Sequence, residues 1–370
     1  MSKKPKSVDT ILLIIICVLV GAGFLIFSSA SLGLLARDSA SFGSVAFSQF
    51  VFGILGGSTA LFLTSNIYYR HWRKYAFYIF IATLLFTAAV FTPLGVEHGG
   101  ATRWINLGIT TVQPSEFLKI GFVVYLATWL SGVHGKIGNF KYGLFPFIGI
   151  VGVVGGIMLL QPDTDTFMIM GAAGMAMYLA AGAKWRDIGF ICVSAVVLLA
   201  LLAIFRPYIL DRLTTFMHPE SDPLGSGYQI QQSLIAVGSG GAFGRGFGQS
   251  IQKFDYLPEA IGDSVFAVYA EEFGFMGTSL LVITLVFFCL RGLKTASHAE
   301  DMFGTLLVTG FITLVTVQAF LNIGAMIGIA PLSGLPLPFI SHGGTSLFAT
   351  LASLGIVLNV SRYQGRRKSL

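Results

Sequence analysis

Long apolar runs separated by short polar segments repeat along the whole chain. Most reach or approach the roughly 18 residues that a helix needs to cross a bilayer. The first is too long for a cleaved signal peptide, so it is predicted to be the first span. The pattern predicts ten membrane-spanning helices: residues 11–30, 45–65, 75–94, 114–131, 144–160, 166–182, 188–205, 265–290, 303–327 and 343–361. The longest polar interval, residues 206–264, is predicted to be one large loop between spans seven and eight.

The composition agrees with an all-α polytopic membrane protein. Of the 370 residues, 54% are hydrophobic, only 11% are charged and 33 are Phe, which is unlike a soluble domain. We therefore expect residues 1–370 to form a single integral membrane domain. Cys17, Cys192 and Cys289 all lie inside apolar runs, so we expect them to be small core residues, without disulfides or a cysteine metal site.

The loop charges predict the orientation of the chain. With the N-terminus in the cytoplasm, most of the 23 Lys and Arg residues lie in cytoplasmic segments, as the positive-inside rule requires. Both termini are then cytoplasmic, and most of the 17 acidic residues lie on the outer side. The net charge of +6 reflects loops attracted to anionic lipid head groups, so no nucleic-acid partner is expected. The working face is predicted to be extracytoplasmic.

Five carboxylates crowd the start of the eighth predicted span: Asp255, Glu259, Asp263, Glu271 and Glu272. A carboxylate at bilayer depth costs on the order of 3 kcal/mol, so such acids usually face a cavity or a partner and usually have a function. Helical spacing makes Glu271, eight residues on, the better candidate to share a face with Asp263. The structural alternative for Asp263 is a helix N-cap.

A second polar segment, residues 99–120, contains Arg103 and the sequence QPSEF. Pro114 in the opening turn predicts a helix start. Glu116 and Lys119 then stand three residues apart on one helix face, where they can pair or face a wet cavity.

The sequence QPDTDT, residues 161–166, forms a third polar segment. Asp163 and Asp165 are oxygen ligands of the kind that could help to hold a divalent cation such as Mg²⁺ or Mn²⁺. A turn or a helix cap is the alternative, and for Asp165 it is the preferred interpretation.

Two more segments are rich in glycine or proline. In the large loop, YQIQQSLIAVGSGG predicts a short surface helix, and the glycines between residues 238 and 248, with Arg245, suit a phosphate or pyrophosphate group. A flexible loop has the same composition. Residues 322–346 break a helix at membrane depth, which is tolerated only against protein or a water-filled cavity. A structural re-entrant turn is the alternative.

Taken together, these motifs resemble the SEDS family (shape, elongation, division and sporulation), whose members include FtsW, RodA and SpoVE. The matching stretches run in family order along nearly the whole chain: GATRWINLG, QPSEFLKI, QPDTDT, DPLGSGYQIQQSLIAVGSGG, GRGFGQSIQKFDYLPEAIGDSVFAVYAEEFGFMG and GLPLPFISHGGTS. The form YLPEA favours the FtsW-like division branch over the elongation branch.

The resemblance implies a peptidoglycan glycosyltransferase that polymerises lipid II at the outer face of the bacterial cytoplasmic membrane. It also implies a class B penicillin-binding protein, the crosslinking transpeptidase, as partner, beside other division or elongation membrane proteins. The family's essential loop aspartate falls on Asp263, its intramembrane acid and base on Glu116 and Lys119, and the aspartate after Gln-Pro on Asp163.

This chain departs from the family pattern at three places. Ile261 and Gly262 stand where many relatives have His-Thr or His-Asn, so a neighbouring imidazole has no role. Asp165 replaces a frequent glycine, and His342 replaces a frequent tyrosine.

As a mechanism we expect one inverting displacement with Asp263 as general base for the acceptor hydroxyl. Lys119, Arg103, Arg245 or a divalent cation would neutralise the departing pyrophosphate. Glu259, beside a proline, is expected to shape the loop or to touch substrate, and Glu116, Asp163 and Glu271 are also expected to contact substrate. The alternatives are a flippase or ion-coupled transporter, whose polar groups would be accessible from both sides, and a non-catalytic scaffold.

Overall fold

The computed structural model describes residues 7–98, 101–106, 108, 111–205, 207–222 and 225–364. The helices are α1 (Thr10–Arg37), α2 (Ser39–Phe47), α3 (Gly57–Asn66), α4 (Arg70–Ala88), α5 (Pro114–Val133), α6 (Leu144–Leu160), α7 (Thr164–Ala180), α8 (Trp185–Phe205), α9 (Pro207–Met217), α10 (Ser226–Ser239), α11 (Val265–Ser297), α12 (Met302–Met326) and α13 (Gly344–Arg362). A π-helix, Ser48–Gly56, joins α2 to α3, and short 3-10 turns occupy Ala89–Phe91, His134–Lys136 and Pro219–Ser221. One small antiparallel sheet, in the order β1 (Gly95–His98), β2 (Ala101–Asn106) and β3 (Thr111–Val112), precedes α5.

Helices cover all ten ranges that the hydrophobic pattern predicted. Among the described residues, eight helical segments are long and apolar enough to cross a membrane: Thr10–Arg37, Phe42–Asn66, Arg70–Phe91, Pro114–Lys136, Trp185–Ile204, Val265–Ser297, Met302–Met326 and Gly344–Arg362. α6 and α7 have 17 residues each, or roughly 25 Å, which is shorter than the hydrocarbon core of about 30 Å. The protein is an all-α polytopic membrane protein with one added sheet, and the count of ten spans stays a prediction.

The interior of the bundle is formed by α12 and α13. In these helices 72% and 83% of the apolar stretch is buried, against 11% in α8. α12 packs on α5, α7 and α11, whereas α13 packs on α3. The three cysteines are free, as expected, but Cys17 and Cys192 are exposed on α1 and α8, so their assignment to the core was wrong. An apolar run predicts a membrane helix without telling which of its faces meets lipid.

The two ends of the chain meet at one end of the bundle. Asp9 caps α1 by accepting from the Leu12 amide at 3.1 Å, and it pairs with Arg291 of α11 at 2.9 Å. Its own N–H donates to Ser361 Oγ of α13 at 2.9 Å. Asp263 precedes the first residue of α11 and therefore lies at the opposite end. The basic residues of 1–6 and 365–370 and Arg206, which entered the predicted charge balance, lie outside the described residues.

The large loop is partly helical, and its backbone bonds to α11 where that helix is broken. The predicted surface helix forms as α10. The loop after it pairs with α11 at Gly274, where φ is 63°: Arg245 N donates to Glu271 O at 3.0 Å, and Phe275 N donates to Gly241 O at 2.9 Å. Backbone groups freed at a helix break in a membrane protein must find such partners. The close approach of the loop backbone leaves no room for a Cβ at Gly274.

Candidate active site

Asp263 lies in a turn directly before α11. Its Oδ1 accepts from Gln229 Nε2 of α10 at 3.0 Å and from Ser264 Oγ at 3.4 Å. The N-cap position of α11 belongs to Ser264, so the alternative that made Asp263 the helix cap does not describe this turn. A neutral amide on one oxygen leaves the carboxylate with capacity to accept a proton.

The backbone of this turn is held from three other directions. Asn322 of α12 donates from Nδ2 to Asp263 O at 2.7 Å. Ser341 Oγ donates to Gly262 O at 2.6 Å, and the His342 amide donates to Ile261 O at 2.7 Å. Side chains whose own positions are set by packed helices can hold a reacting group to a narrow range of positions.

The surroundings of Asp263 bring the pKa of its carboxyl close to neutral pH. Burial raises the pKa of the Asp263 carboxyl to about 7, and the negative charge of Glu259 adds to the shift. Glu259 itself is exposed and has a φ of 49°, so it shapes the turn as well. Because a general base works best when its pKa lies near the working pH, Asp263 has the properties of one.

His342 contributes its backbone and not its charge. Its ring stacks on Phe27 with centroids 6.1 Å apart. Burial lowers the pKa of the imidazole to about 4, so it stays neutral at physiological pH and supplies no positive charge to the site.

Glu116 and Lys119 form a buried ion pair near the start of α5. Lys119 Nζ lies 2.7 Å from Glu116 Oε2 and donates to Gln318 Oε1 at 3.1 Å. The two side chains line a small cavity of about 20 Å³, which is enough for a water molecule. The spacing of three residues predicted their shared face, and the structure confirms that they pair.

Two amides on α12 connect this ion pair to the Asp263 turn. Gln318 Nε2 donates to Pro336 O at 2.8 Å, and Asn322 Nδ2 bonds both Leu335 O, at 2.8 Å, and Asp263 O. The sequence argument missed both amides. Their spacing of four residues inside an apolar span was the signal that could have identified them, because polar groups at that depth are costly unless paired.

Asp163 and Arg103 come together at the turn before α7. Asp163 is the N-cap of α7 and accepts from Thr166 N at 3.3 Å, while its buried Oδ2 has no hydrogen-bond partner. Arg103 of β2 donates to the carbonyls of Gln161, at 3.3 Å, and Pro162.

The structure reverses the expected roles of the two acids in QPDTDT. Asp163 caps the helix, whereas Asp165 forms an ion pair of 2.6 Å with Arg212 of α9. Within the described ranges, no group of three or more His, Cys, Asp or Glu side chains is arranged to hold a metal ion. Because Arg212 already neutralises Asp165, this carboxylate pair does not fit a divalent cation, and the cation stays a prediction.

Glu271 lies in a buried network that stabilises the large loop, and Arg245 contacts it from the exposed side. The Glu271 carboxylate accepts from Ser250 Oγ at 2.5 Å and from the amides of residues 251 and 252, and Arg245 Nε lies 3.3 Å away. Beside it, Glu272 pairs with buried Lys253 at 2.8 Å. With four donors already bound, Glu271 is a structural residue here, and this geometry does not support its predicted contact with substrate.

An open groove lies beside the Asp263 turn, with a volume of about 400 Å³. It is bounded by the end of α1, by Tyr228 of α10 and by the loop 253–261, and it includes Glu259. Arg37 and Asp255 face each other across its exposed rim at 3.7 Å. The groove is large enough for a sugar unit, and Ile261, two residues before Asp263, is part of its lining.

Comparison with known proteins gives a consistent result along the whole chain. The family model described as "Cell cycle protein", for FtsW, RodA and SpoVE, matches residues 9–366. The chain is 38% identical to the stage V sporulation protein E of Bacillus subtilis over 98% of this chain and 99% of that protein. It is also 38% identical to a probable peptidoglycan glycosyltransferase FtsW of Geobacter metallireducens, over 85% of this chain and 84% of that one. Equal identity to both leaves the division branch a prediction.

Solved structures agree with the fold. A chain from a peptidoglycan synthase complex, studied for the structural coordination of polymerization and crosslinking, is similar with a TM-score of 0.79 and 28% identity, over 97% of this chain and 99% of that one. The rod shape determining protein RodA of Thermus thermophilus is similar with a TM-score of 0.70 and 28% identity, over 97% and 98%. With sequence and fold in agreement from end to end, the chain belongs to the FtsW/RodA/SpoVE family.

Proposed function

We propose that this protein is a peptidoglycan glycosyltransferase that polymerises lipid II into β-1,4 glycan strands. The observation that carries the proposal is the Asp263 carboxyl, whose pKa is raised to about 7, in a turn whose residues 259–261 line an open groove. A similar protein named as a probable peptidoglycan glycosyltransferase and a similar chain from a peptidoglycan synthase complex support the same activity.

In the proposed reaction Asp263 takes the proton of the acceptor 4-hydroxyl. The hydroxyl oxygen attacks the anomeric carbon of the donor, the bond from that carbon to the pyrophosphate oxygen breaks, and the electron pair leaves with undecaprenyl pyrophosphate. One displacement inverts the anomeric carbon from α to β. A positioned base of this kind contributes roughly 10²- to 10⁴-fold to the rate.

Among the three predicted cations, Lys119 is best placed to stabilise the departing pyrophosphate. It lies in a cavity and connects through Gln318 and residues 335–336 to the Asp263 turn. Arg103 is bound to backbone carbonyls, Arg245 lies beside Glu271 and Lys119 lies beside Glu116, so all three have partners. Lys119 is favoured because its hydrogen bonds lead to the Asp263 turn. Glu116 pairs with Lys119 at 2.7 Å, which offsets part of the cost of burying the two side chains. We assign no step to a divalent cation.

We further propose that the site opens at the outer face of the bacterial cytoplasmic membrane, with both termini in the cytoplasm. The positive-inside distribution of charge supports this orientation, as does the separation of Asp263 from the end where Asp9 and Ser361 meet. The partner is a class B penicillin-binding protein, beside other division or elongation membrane proteins. The alternative of a flippase or transporter is less favoured, because Glu116, Asp163 and Asp263 all belong to helix ends on one side of the bundle.

The test compares Asp263→Asn with the wild-type protein, each purified with its transpeptidase partner and supplied with labelled lipid II. Polymer formation should fall at least 10²-fold, because the variant keeps the size of the side chain and loses the base. The matched control is Asp211→Asn, an exposed acid on α9 that lies outside the groove, which should polymerise at the wild-type rate. A folded Asp263→Asn protein with wild-type activity would refute the assignment.

A further inference from the structure

A basic groove lies at the end of the molecule opposite Asp263. The linker between α5 and α6 forms one wall, and the linker between α7 and α8 forms the other. Its volume is about 610 Å³, and Lys136 and Lys184 line it together with Asn139 and Tyr142. Because α5 and α7 both begin on the Asp263 side, their C-terminal linkers lie at the far end of the bundle.

The two walls of the groove are held against each other. His134 Nδ1, at the end of α5, forms a hydrogen bond of 2.8 Å with Ala181 O, at the end of α7. The stem of Lys184 crosses Gly138, where an added Cβ would lie 2.8 Å from Lys184 Cε. Within the first linker, the Gly143 amide donates to Asn139 O at 2.7 Å. The groove is therefore a fixed feature of the fold and not a gap between independent loops.

The lysines of this groove differ from two arginines at the same end. Arg70 and Arg291 are neutralised by carboxylates at 2.9 Å. In contrast, no carboxylate among the described residues lies within 4 Å of Lys136, Lys141 or Lys184. The groove therefore presents a concentrated positive charge that an anion from outside the chain can neutralise.

Aromatic side chains surround this charge. Trp185 is 80% exposed, Phe140 61% and Tyr142 45%, and Lys136 Nζ lies 5.5 Å from the centre of the Tyr142 ring. Tryptophan and tyrosine favour the interface between membrane and water, where an apolar ring meets lipid and a polar edge meets head groups. A soluble phosphate would gain nothing from these rings, whereas a phospholipid contacts both the rings and the lysines.

We propose that this groove binds the head group of an anionic phospholipid, with Lys136 and Lys184 on its phosphate and the aromatic rings against its acyl chains. Basic pockets between membrane helices are suited to such head groups. The site is independent of the glycosyltransferase chemistry, since it shares no residue with the Asp263 end.

The experiment titrates the full-length protein, in neutral detergent micelles, with short-chain phosphatidylglycerol and counts bound lipid by native mass spectrometry. A lysine that lies beside the bound head group contributes about five-fold to the affinity for anionic lipid. Lys136→Gln/Lys184→Gln should therefore bind roughly 25-fold more weakly than wild type. The control Arg73→Gln/Lys74→Gln removes the same charge from exposed residues of α4 at the same end, and its affinity should stay within about two-fold.

Equal losses in the two double variants would overturn the proposal, because the lysines would then act only through general charge. Unchanged binding in the groove variant would overturn it as well. Short-chain phosphatidylcholine should not bind tightly, and inorganic phosphate at the same concentration should not displace phosphatidylglycerol. Displacement by phosphate would identify a phosphate site and refute the lipid. Both pairs of substitutions lie on the surface, so thermal melting should be unchanged.

Discussion

Removing the Gln229 amide should move the pH dependence of polymerisation without removing the base. Gln229 Nε2 donates to Asp263 Oδ1 at 3.0 Å, and this hydrogen bond lowers the pKa of Asp263 against the upward effect of burial. In Gln229→Met the carboxylate loses a donor that favours its charged form. The pKa of Asp263 should therefore rise above about 7.

The size of the rise follows from the strength of the bond. A hydrogen bond to a charged group contributes about 1.5 kcal/mol at the lower end of its range, and one pKa unit corresponds to about 1.4 kcal/mol. A rise of about one unit would lower the ionised fraction of Asp263 at pH 7 from about one half to about one tenth. Activity should fall about five-fold at pH 7 and recover to nearly the wild-type rate at pH 9.

The assay follows lipid II polymerisation between pH 5 and 9 by the purified complex. Gln231→Met is the matched control, because two residues further on in α10 the side chain points to a different face; its acid limb should match that of the wild type. If Gln229→Met lowers activity equally at every pH, then Gln229 acts only on structure, and the account of the Asp263 pKa is wrong.

Three further outcomes are expected from stability measurements. The melting temperature of Asp263→Asn should exceed that of the wild type by a margin that grows as pH rises from 4 to 8. An acid with a raised native pKa binds more protons in the folded state, so its ionisation destabilises the wild-type fold. A constant difference between the two melting temperatures would contradict the raised pKa. Lys119→Met should lower the free energy of unfolding by about 3–5 kcal/mol, because it leaves Glu116 buried and unpaired. The double variant Glu116→Leu/Lys119→Met should restore most of that loss. Equal losses in both variants would show that the ion pair itself stabilises the protein. Gly274→Ala should destabilise by about 1–3 kcal/mol, since φ is 63°, while Gly171→Ala, with open space around it, should not.

Much of the membrane architecture could be predicted from local patterns. A helix in lipid must be apolar for its whole length. The apolar runs of the sequence therefore predicted ten ranges, and each of them is mostly helical in the structure. The same reasoning predicted the break after α12 and the pairing of Glu116 with Lys119, because residues three apart on a helix meet through local geometry alone. The small sheet before α5 was missed because its strands are short and lie in a polar segment without a clear alternation.

The five acids before and within α11 show where sequence reasoning ended. Sequence alone indicated that they are costly and therefore functional or paired, and the family resemblance identified Asp263 as the base, but neither showed what the acids contact. The tertiary structure showed that Asp263 has a neutral amide on its oxygen, whereas the Glu271 carboxylate is occupied by four donors. Those partners lie up to 34 residues away along the chain, and their approach depends on how whole helices pack.

The sequence by itself thus determined the apolar runs, the charge distribution between loops and the family motifs. Each of these features depends on neighbouring residues alone. The fold decided three other features: the roles of Gln229, Gln318 and Asn322, the reversed roles of Asp163 and Asp165, and the basic groove between two linkers. Each of these features depends on contacts between segments far apart in the chain, and a polar side chain becomes a base, a cap or a structural residue only through the groups that reach it.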